Sequence, residues 1–501
     1  MPVRIVDMRI PLKKTVMKRL FPFFLVVLSF LLAGSMSSAE ECPEIVIAPD
    51  EPIAGVSDLF WGTNFLFWIE DDASLSDGKI EAAMKDLPIR LLRYPGGTVA
   101  DNFHWKTNLL DNHFMFPYEE GPDESDFDEF MSFCSKVGAE PMLVVNTQSW
   151  ALKDDIEGGA EEAAEWVRYC KEKGYDVKYW EIGNETYWHP VMTAREYGEL
   201  VNVYAAAMRA EDPDIILSVN GGWDIAMTGN KERTDSSEWK SLKDSYGRIS
   251  SVSDYKSLKE HADSIVVRPW TTGEDKWWHD LISVCGKNID MVSVHWYYHD
   301  NVIKHIDKKM TELKHYLKSM VPEKDYLVCL SEFNCNTKDY DQRVAGLAES
   351  LGRFLNAGTD LACFWPFRLG GSPSVESNRN MLSLDEKNRQ YPYVIFQLFQ
   401  QELQGNMVRC TGPENPYAFA SVNGSEMTVV LSGRCLDGNE AVKVSCKDGG
   451  YMKVCDAWEF VPDPKAEGGM SRAAASIEKS GRGFIVQMRP ESFVLVSVSL
   501  K

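Results

Sequence analysis

Two segments of this chain place a carboxylate where an apolar run gives way to a loop. One reads Tyr179-Trp180-Glu181-Ile182-Gly183-Asn184-Glu185, the other Leu330-Ser331-Glu332-Phe333-Asn334. An unpartnered carboxylate at the end of a buried strand costs several kcal/mol, so two such residues facing one mouth make a physical case for a functional pair. The chemistry that needs such a pair is glycoside hydrolysis with retention. One carboxylate attacks the anomeric carbon, while the other first donates a proton and later accepts one. A partly apolar pocket and a neighbouring charge would raise the pKa of the protonated member and keep it an acid near neutrality. Taken singly, each Glu has a rival use as a salt bridge at the rim of the fold.

Glu185 and Glu332 lie 332 − 185 = 147 positions apart, so only tertiary structure can join them. Eight short apolar runs, at 59–65, 88–94, 141–146, 177–182, 215–220, 291–296, 326–333 and 361–365, alternate with amphipathic segments such as 161–173, 194–210, 302–320 and 342–356. Nearly continuous apolar strands alternating with helices imply a parallel sheet covered by helices, and eight such units close a (β/α)8 barrel. The two glutamates then end the fourth and seventh strands, at the face where barrel active sites are built.

One connection is long. Residues 221–289 separate the fifth and sixth strands and carry Trp223, Trp239, Trp270, Trp277 and Trp278. Such an excursion either lines the active face or folds around a small core of its own. Beyond 406 the texture changes to alternating β patterns at 417–422, 427–432, 441–445, 484–488 and 493–500, which imply an antiparallel β-sandwich. Residues 464–476 read as a surface loop or short helix, and 44–48 could add a strand to the β domain. The expected division is a leader at 1–39, an N-terminal strand within 40–57, the barrel at 58–405 and the sandwich at 406–501.

The strand-four and strand-seven pair resembles the clan A barrel glycosidases, with an Asn-Glu acid/base after strand four and a Glu nucleophile after strand seven. More narrowly, the stretch from Glu161 through Trp166 and Cys170 to Glu185 resembles glycoside hydrolase family 51, the α-L-arabinofuranosidases. So does Arg93-Tyr94-Pro95-Gly96-Gly97 followed by His104-Trp105. The resemblance covers roughly residues 58–500 and includes a C-terminal β domain.

That resemblance implies roles. Glu185 would be the acid/base and Glu332 the nucleophile. Arg93 would lie beside Glu332 and keep it ionised. Asn184 would hydrogen-bond the sugar 2-hydroxyl. His295 and Tyr297 match a His-x-Tyr pattern and would orient the carboxylates, and Trp365 would form a stacking wall. His295 and His299 lack a third ligand or an HExxH helix in the sequence, so neither a metal nor a cofactor is expected. Two positions depart from family 51. Thr98 stands where the family has Asn after Pro-Gly-Gly, and where the family has a Glu shortly after the first strand's Gly-x-Phe this chain reads Gly62-Thr63-Asn64-Phe65-Leu66-Phe67-Trp68, with no carboxylate before Glu70. Both family residues contact the arabinofuranose, so the departures imply an altered sugar-recognition set.

Lys13, Lys14, Lys18 and Arg19 precede an apolar run at 20–33 and the small residues Ser37-Ser38-Ala39, the pattern of a signal peptide. A secreted or periplasmic protein is therefore expected, with no membrane span after cleavage. Removing 1–39 takes away six basic residues and one acidic one, moving the net charge from −22 to −27. Such an acidic surface disfavours nucleic acid and anionic lipid as partners. Eleven cysteines without a CxxC pair argue against a zinc site. In an oxidising compartment some are expected to pair, with Cys410, Cys435, Cys446 and Cys455 clustered near the end, while Cys329 and Cys363 read as buried thiols. The expected activity is retaining hydrolysis of a plant or algal polysaccharide or oligosaccharide, α-L-arabinofuranosidase first. The rivals are an endo-acting clan A enzyme of agarase, xylanase or glucanase type, and an inactive carbohydrate-binding barrel.

Overall fold

A computed structural model describes residues 42–111, 124–187, 191–226, 276–298, 300–335, 339–369 and 379–501. The leader, His299, Trp239 and Trp270 lie outside the described residues. Eight parallel strands close a barrel in chain order: Gly62–Asn64, Leu91–Tyr94, Glu140–Val145, Tyr179–Ile182, Ile216–Gly222, Met291–Tyr298, Leu327–Cys335 and Leu361–Phe364. All eight expected runs are there. Their interior is layered. Leu91, Met142, Met291, Cys329, Leu361 and Cys363 form an apolar plug, with both cysteines buried as thiols. One step toward the C-terminal mouth the lining becomes polar and fully buried, with Asn64, Arg93, Glu181, Ser218, Ser293 and Ser331. A barrel filled by side-chain layers is a packed core, and its polar layer is the floor of the site above it.

Strand seven breaks its own alternation. Cys329 and Leu330 pair with Ser293 and Val294, but the next partner of His295 is Glu332, so a bulge absorbs Ser331. Strict alternation from Cys329 would turn Phe333 inward and Glu332 out. With the bulge, Glu332 faces the interior beside His295, and Phe333 packs outside against Phe354, Phe364 and Phe396.

The helices cover the barrel as the periodicity implies, and side chains cap several of them. Thr193 and Glu196 form a capping box at the start of Ala194–Glu211, and Asp126 with Glu129 does the same for Phe127–Val137. The segment expected as one helix at 302–320 is divided into Asp300–Ile303 and Ile306–Met320.

Ten strands make the second sheet. Its spatial order is Met470–Ala474, Met452–Pro462, Phe493–Leu500, Glu426–Ser432, Tyr417–Asn423, Asn406–Thr411, Glu44–Gly55, Glu440–Cys446, Gly483–Met488 and Ser476–Ser480. The two outermost strands are joined in sequence by Ala475 alone, so the sheet must fold over until its edges meet. That makes a sandwich around Ile47, Val429, Val442, Val444, Val486, Val494 and Val496. The expected loop or short helix at 464–476 holds only as far as the 3-10 turn Glu467–Gly469; from Met470 these residues supply one edge strand and open the other. Their exposed, short-side-chain sequence hid strands whose pairing partners lie elsewhere in the chain. Glu44–Gly55 sits in mid-sheet, antiparallel to Asn406–Thr411 and parallel to Glu440–Cys446, the one parallel pair in the sheet.

This insertion also corrects the expected cysteine pairing. Cys410, Cys446 and Cys455 are free thiols. Ile47 pairs with both Cys410 and Cys446 from opposite sides. Two strand spacings of about 4.8 Å hold those cysteines about 9–10 Å apart, beyond the reach of a disulfide.

Sandwich and barrel share the helix Tyr340–Asn356, whose residues from Arg343 to Leu355 are buried throughout. Glu349 accepts from Arg353 Nε at 2.9 Å and from Arg434 Nε at 3.0 Å, and the Arg353 guanidinium lies 3.6 Å from the Tyr417 ring centroid. Gly352 lies so close to the Phe419 ring that any Cβ would overlap it. We expect Gly352→Val to lower the midpoint of thermal unfolding through an overpacking cost of about 1–3 kcal/mol. An unchanged midpoint in calorimetry would contradict this packing.

Candidate active site

The site is assembled around one buried cation. Arg93, at the end of barrel strand two, is fully buried. Its Nε donates to Glu181 Oε2 at 2.7 Å, and Nη1 donates to Asn64 Oδ1 and Glu332 Oε1, both at 2.9 Å. Nη2 donates to Asn184 Oδ1 at 2.7 Å. Four barrel strands thus converge on one guanidinium, and two carboxylates balance its charge. Burial would lower the pKa of Arg93, but Glu181 and Glu332 outweigh it and hold the group charged.

Glu332 has two further partners. Tyr297 donates its hydroxyl to Oε2 at 2.7 Å, and His295 Nδ1 stands 3.4 Å from the same oxygen and 2.9 Å from Glu185 Oε1. Oxygens of Glu185 and Glu332 and a nitrogen of His295 all lie within 4.8 Å of one another. Burial pushes Glu332 up; His295 and Arg93 pull it down, and the neighbouring Glu185 charge raises it again. For His295, burial acts downward and is overcome by Glu332 and then Glu185, leaving it above the ordinary histidine range. On balance burial leaves Glu332 above the ordinary carboxylate range, and groups this close titrate together. The triangle has the spacing of a cation site as well. Each oxygen of Glu332, however, already accepts one hydrogen bond, from Arg93 or from Tyr297.

The loop carrying the acid/base candidate is unusual in its backbone. Gly183 has φ 76° and Glu185 φ 46°. A Cβ at Gly183 would lie 2.6 Å from Thr147 Oγ1, so both conformation and space require glycine. Glu185 has no such excuse, and a left-handed non-glycine residue costs about 1–2 kcal/mol. Such strain persists where surrounding contacts over-determine it. Asn184 is buried, and its Nδ2 has no partner among the described residues, which leaves a donor beside the two glutamates.

Trp365 and Thr98 stand next to this network rather than in it. Trp365 is half-buried and lines, with Tyr297, Asn334, Arg379 and Asn380, a cavity of about 290 Å³. Thr98 is half-buried on the turn Gly97–Asn102. Glu70 is buried in a grip by Arg368, whose Nη2 lies 2.5 Å from Oε2, and Arg368 also reaches Glu386. Sequence reasoning missed Asn64, Glu181, Asp101 and Asn220. Glu181 was open to detection, because alternation puts it inside the same strand end as Glu185. The others carry no local signal.

The family motif proves to be mutual packing. Trp105 stacks on Trp166 at 5.7 Å and 7°, while His104 Nδ1 lies 2.7 Å from Glu162 Oε1. The described part of the tryptophan-rich insertion is likewise internal. Trp277 and Trp278 are buried and donate to the carbonyls of Asn220 and Gly222 at 3.0 and 2.7 Å. Trp223 stacks on Trp296 at 4.4 Å.

Residues 83–264 match the family model described as alpha-L-arabinofuranosidase 1 domain. The probable alpha-L-arabinofuranosidase C of Aspergillus niger is 31% identical over 165 residues, covering 28% of this chain and 31% of that protein. The chain thus spans about a third of the length of this curated relative. The GH51 arabinofuranosidase from Xanthomonas axonopodis pv. citri superposes with a TM-score of 0.67 at 14% identity, over 91% of this chain and 99% of that one. CelM2, a bifunctional glucanase-xylanase from a metagenome library, gives 0.62 at 15% identity, over 92% and 99%. At these identities the structural likeness is one of fold. Sequence match and fold point the same way, and the chain is similar to the clan A glycoside hydrolases of family 51, the α-L-arabinofuranosidases.

Proposed function

We propose that this protein is a retaining glycoside hydrolase acting on plant or algal polysaccharides or oligosaccharides, with α-L-arabinofuranosidase the first assignment to test. The observation that carries the reading is the close triangle of Glu185, His295 and Glu332 at the barrel mouth. Retaining pairs lie about 5–5.5 Å apart, against about 6.5–9.5 Å for inverting ones, which need room for a water. In the first step Glu332 attacks the anomeric carbon and Glu185 protonates the departing oxygen. In the second, Glu185 takes a proton from water, which displaces Glu332. Arg93 and Tyr297 orient the nucleophile, and Asn184 Nδ2, which has no partner among the described residues, donates to the sugar 2-hydroxyl. No step calls on a cofactor or metal. The leader is proposed to direct export, which sequencing the N-terminus of the mature protein would test.

A second reading, an endo-acting enzyme, is favoured by the altered sugar-recognition positions. Thr98 offers a hydroxyl in place of an amide, and Glu70 is occupied by Arg368. Each lost pocket hydrogen bond costs about 1–3 kcal/mol.

Glu332→Ala is expected to abolish turnover of every substrate. Glu185→Ala is expected to keep kcat/KM on glycosides with activated aryl leaving groups while losing about 10²–10⁴-fold on natural linkages. Equal losses for both variants on both substrate types would contradict the division of roles, full activity in both would overturn the assignment of the two glutamates, and a wild type that binds but turns over no substrate would leave only a carbohydrate-binding barrel. Weak activity is expected on aryl α-L-arabinofuranosides relative to arabinan, xylan, agar or β-glucan oligomers. A high efficiency on the small arabinofuranoside would show that Thr98 and the captured Glu70 are harmless changes.

A further inference from the structure

We propose that Asp101 and Asn220 are positioning residues that clamp the backbone on either side of Glu185 and so set where its carboxyl group points. The inference rests on the reading of Glu185 as the acid/base. The amide of Asn184 donates to Asp101 Oδ1 at 3.1 Å, and the amide of Thr186 donates to Asn220 Oδ1 at 2.8 Å. The two peptide N–H groups flanking the left-handed Glu185 are thus each held by a fully buried side chain from another part of the barrel.

Both holders are themselves fixed. Asp101 also accepts from Thr147 Oγ1 at 2.9 Å and from Gln148 Nε2 at 2.7 Å, which ties the turn after strand two to the end of strand three. Asn220, at the end of strand five, donates Nδ2 to the carbonyl of Gly183 at 3.0 Å and to Tyr197 Oη at 3.0 Å. Its own carbonyl accepts from Trp277. The clamp therefore reaches the tryptophans that close the long insertion. These contacts over-determine a backbone conformation that is unfavourable for glutamate, and without them the loop would relax and carry the carboxyl away from the leaving group. A displacement of about 1 Å in a catalytic group is enough to cost about 10²-fold.

Asp101 acts by accepting hydrogen bonds, and its neighbour allows a discriminating test. Gln148 Oε1 is buried with no partner among the described residues. In Asp101→Asn the new amide can donate to Gln148 once that side chain turns over, leaving the bond to Asn184 intact. The experiment compares kcat/KM on a dinitrophenyl glycoside that the wild type turns over with that on an oligosaccharide of the same sugar, alongside unfolding midpoints. Asp101→Ala and Asn220→Ala should lose more than about tenfold on the oligosaccharide, which needs the acid, and under about threefold on the activated glycoside, which does not. Asp101→Asn should restore the oligosaccharide rate to within about threefold of wild type. Equal losses on both substrates, with or without a lower midpoint, would overturn the clamp and leave a purely structural role. Full activity of both alanine variants would overturn it too. A wild type that hydrolyses neither substrate would remove the acid/base reading itself, and the clamp with it.

Discussion

Everything at the mouth of this barrel depends on keeping one positive charge in its interior. Taking a guanidinium out of water is expensive, and the structure offsets the cost by giving Arg93 four acceptors from three other strands. Removing one partner of such a buried pair costs about 3–5 kcal/mol, because the remaining charge is stranded. The arrangement is therefore rigid. Glu332 cannot move without leaving Arg93 short of a counter-charge, and Arg93 cannot move without releasing Asn184, which precedes Glu185.

The same cation divides labour between two buried carboxylates. Glu181 and Glu332 both touch Arg93, yet Glu181 is sealed below with Ser331 at 3.3 Å, whereas Glu332 looks toward Glu185 and His295. Glu181 is committed to Arg93, whose Nε donates to it at 2.7 Å. Glu332 is left with an oxygen that Tyr297 and His295 both address. The bulge at Ser331 makes this division possible, since it allows consecutive residues of strand seven to face the same interior.

The sandwich contributes at a distance. By burying both faces of Tyr340–Asn356 it fixes the helix that follows strand seven, and with it the Phe333–Phe354 contact behind Glu332. Packed interiors transmit such constraints because they contain little free volume.

Much of this was legible in the chain itself. Apolar runs alternating with amphipathic helices determined the barrel, because a strand buried on both faces reads as a nearly continuous apolar run. The position of Glu185 and Glu332 at strand ends followed from counting those runs, and Arg93 could be placed beside them by resemblance. Tertiary structure alone decided the rest. Asp101 and Asn220 sit in unremarkable local sequence and gain their meaning from amides that fold in beside them from elsewhere in the barrel. The bulge at Ser331, the edge strands hidden in 464–476 and the strand that separates Cys410 from Cys446 are likewise pairings between distant segments. Periodicity reports what one segment does with its own neighbours. Which segment lies alongside is a property of closure, and in this protein closure decides where the second carboxylate points.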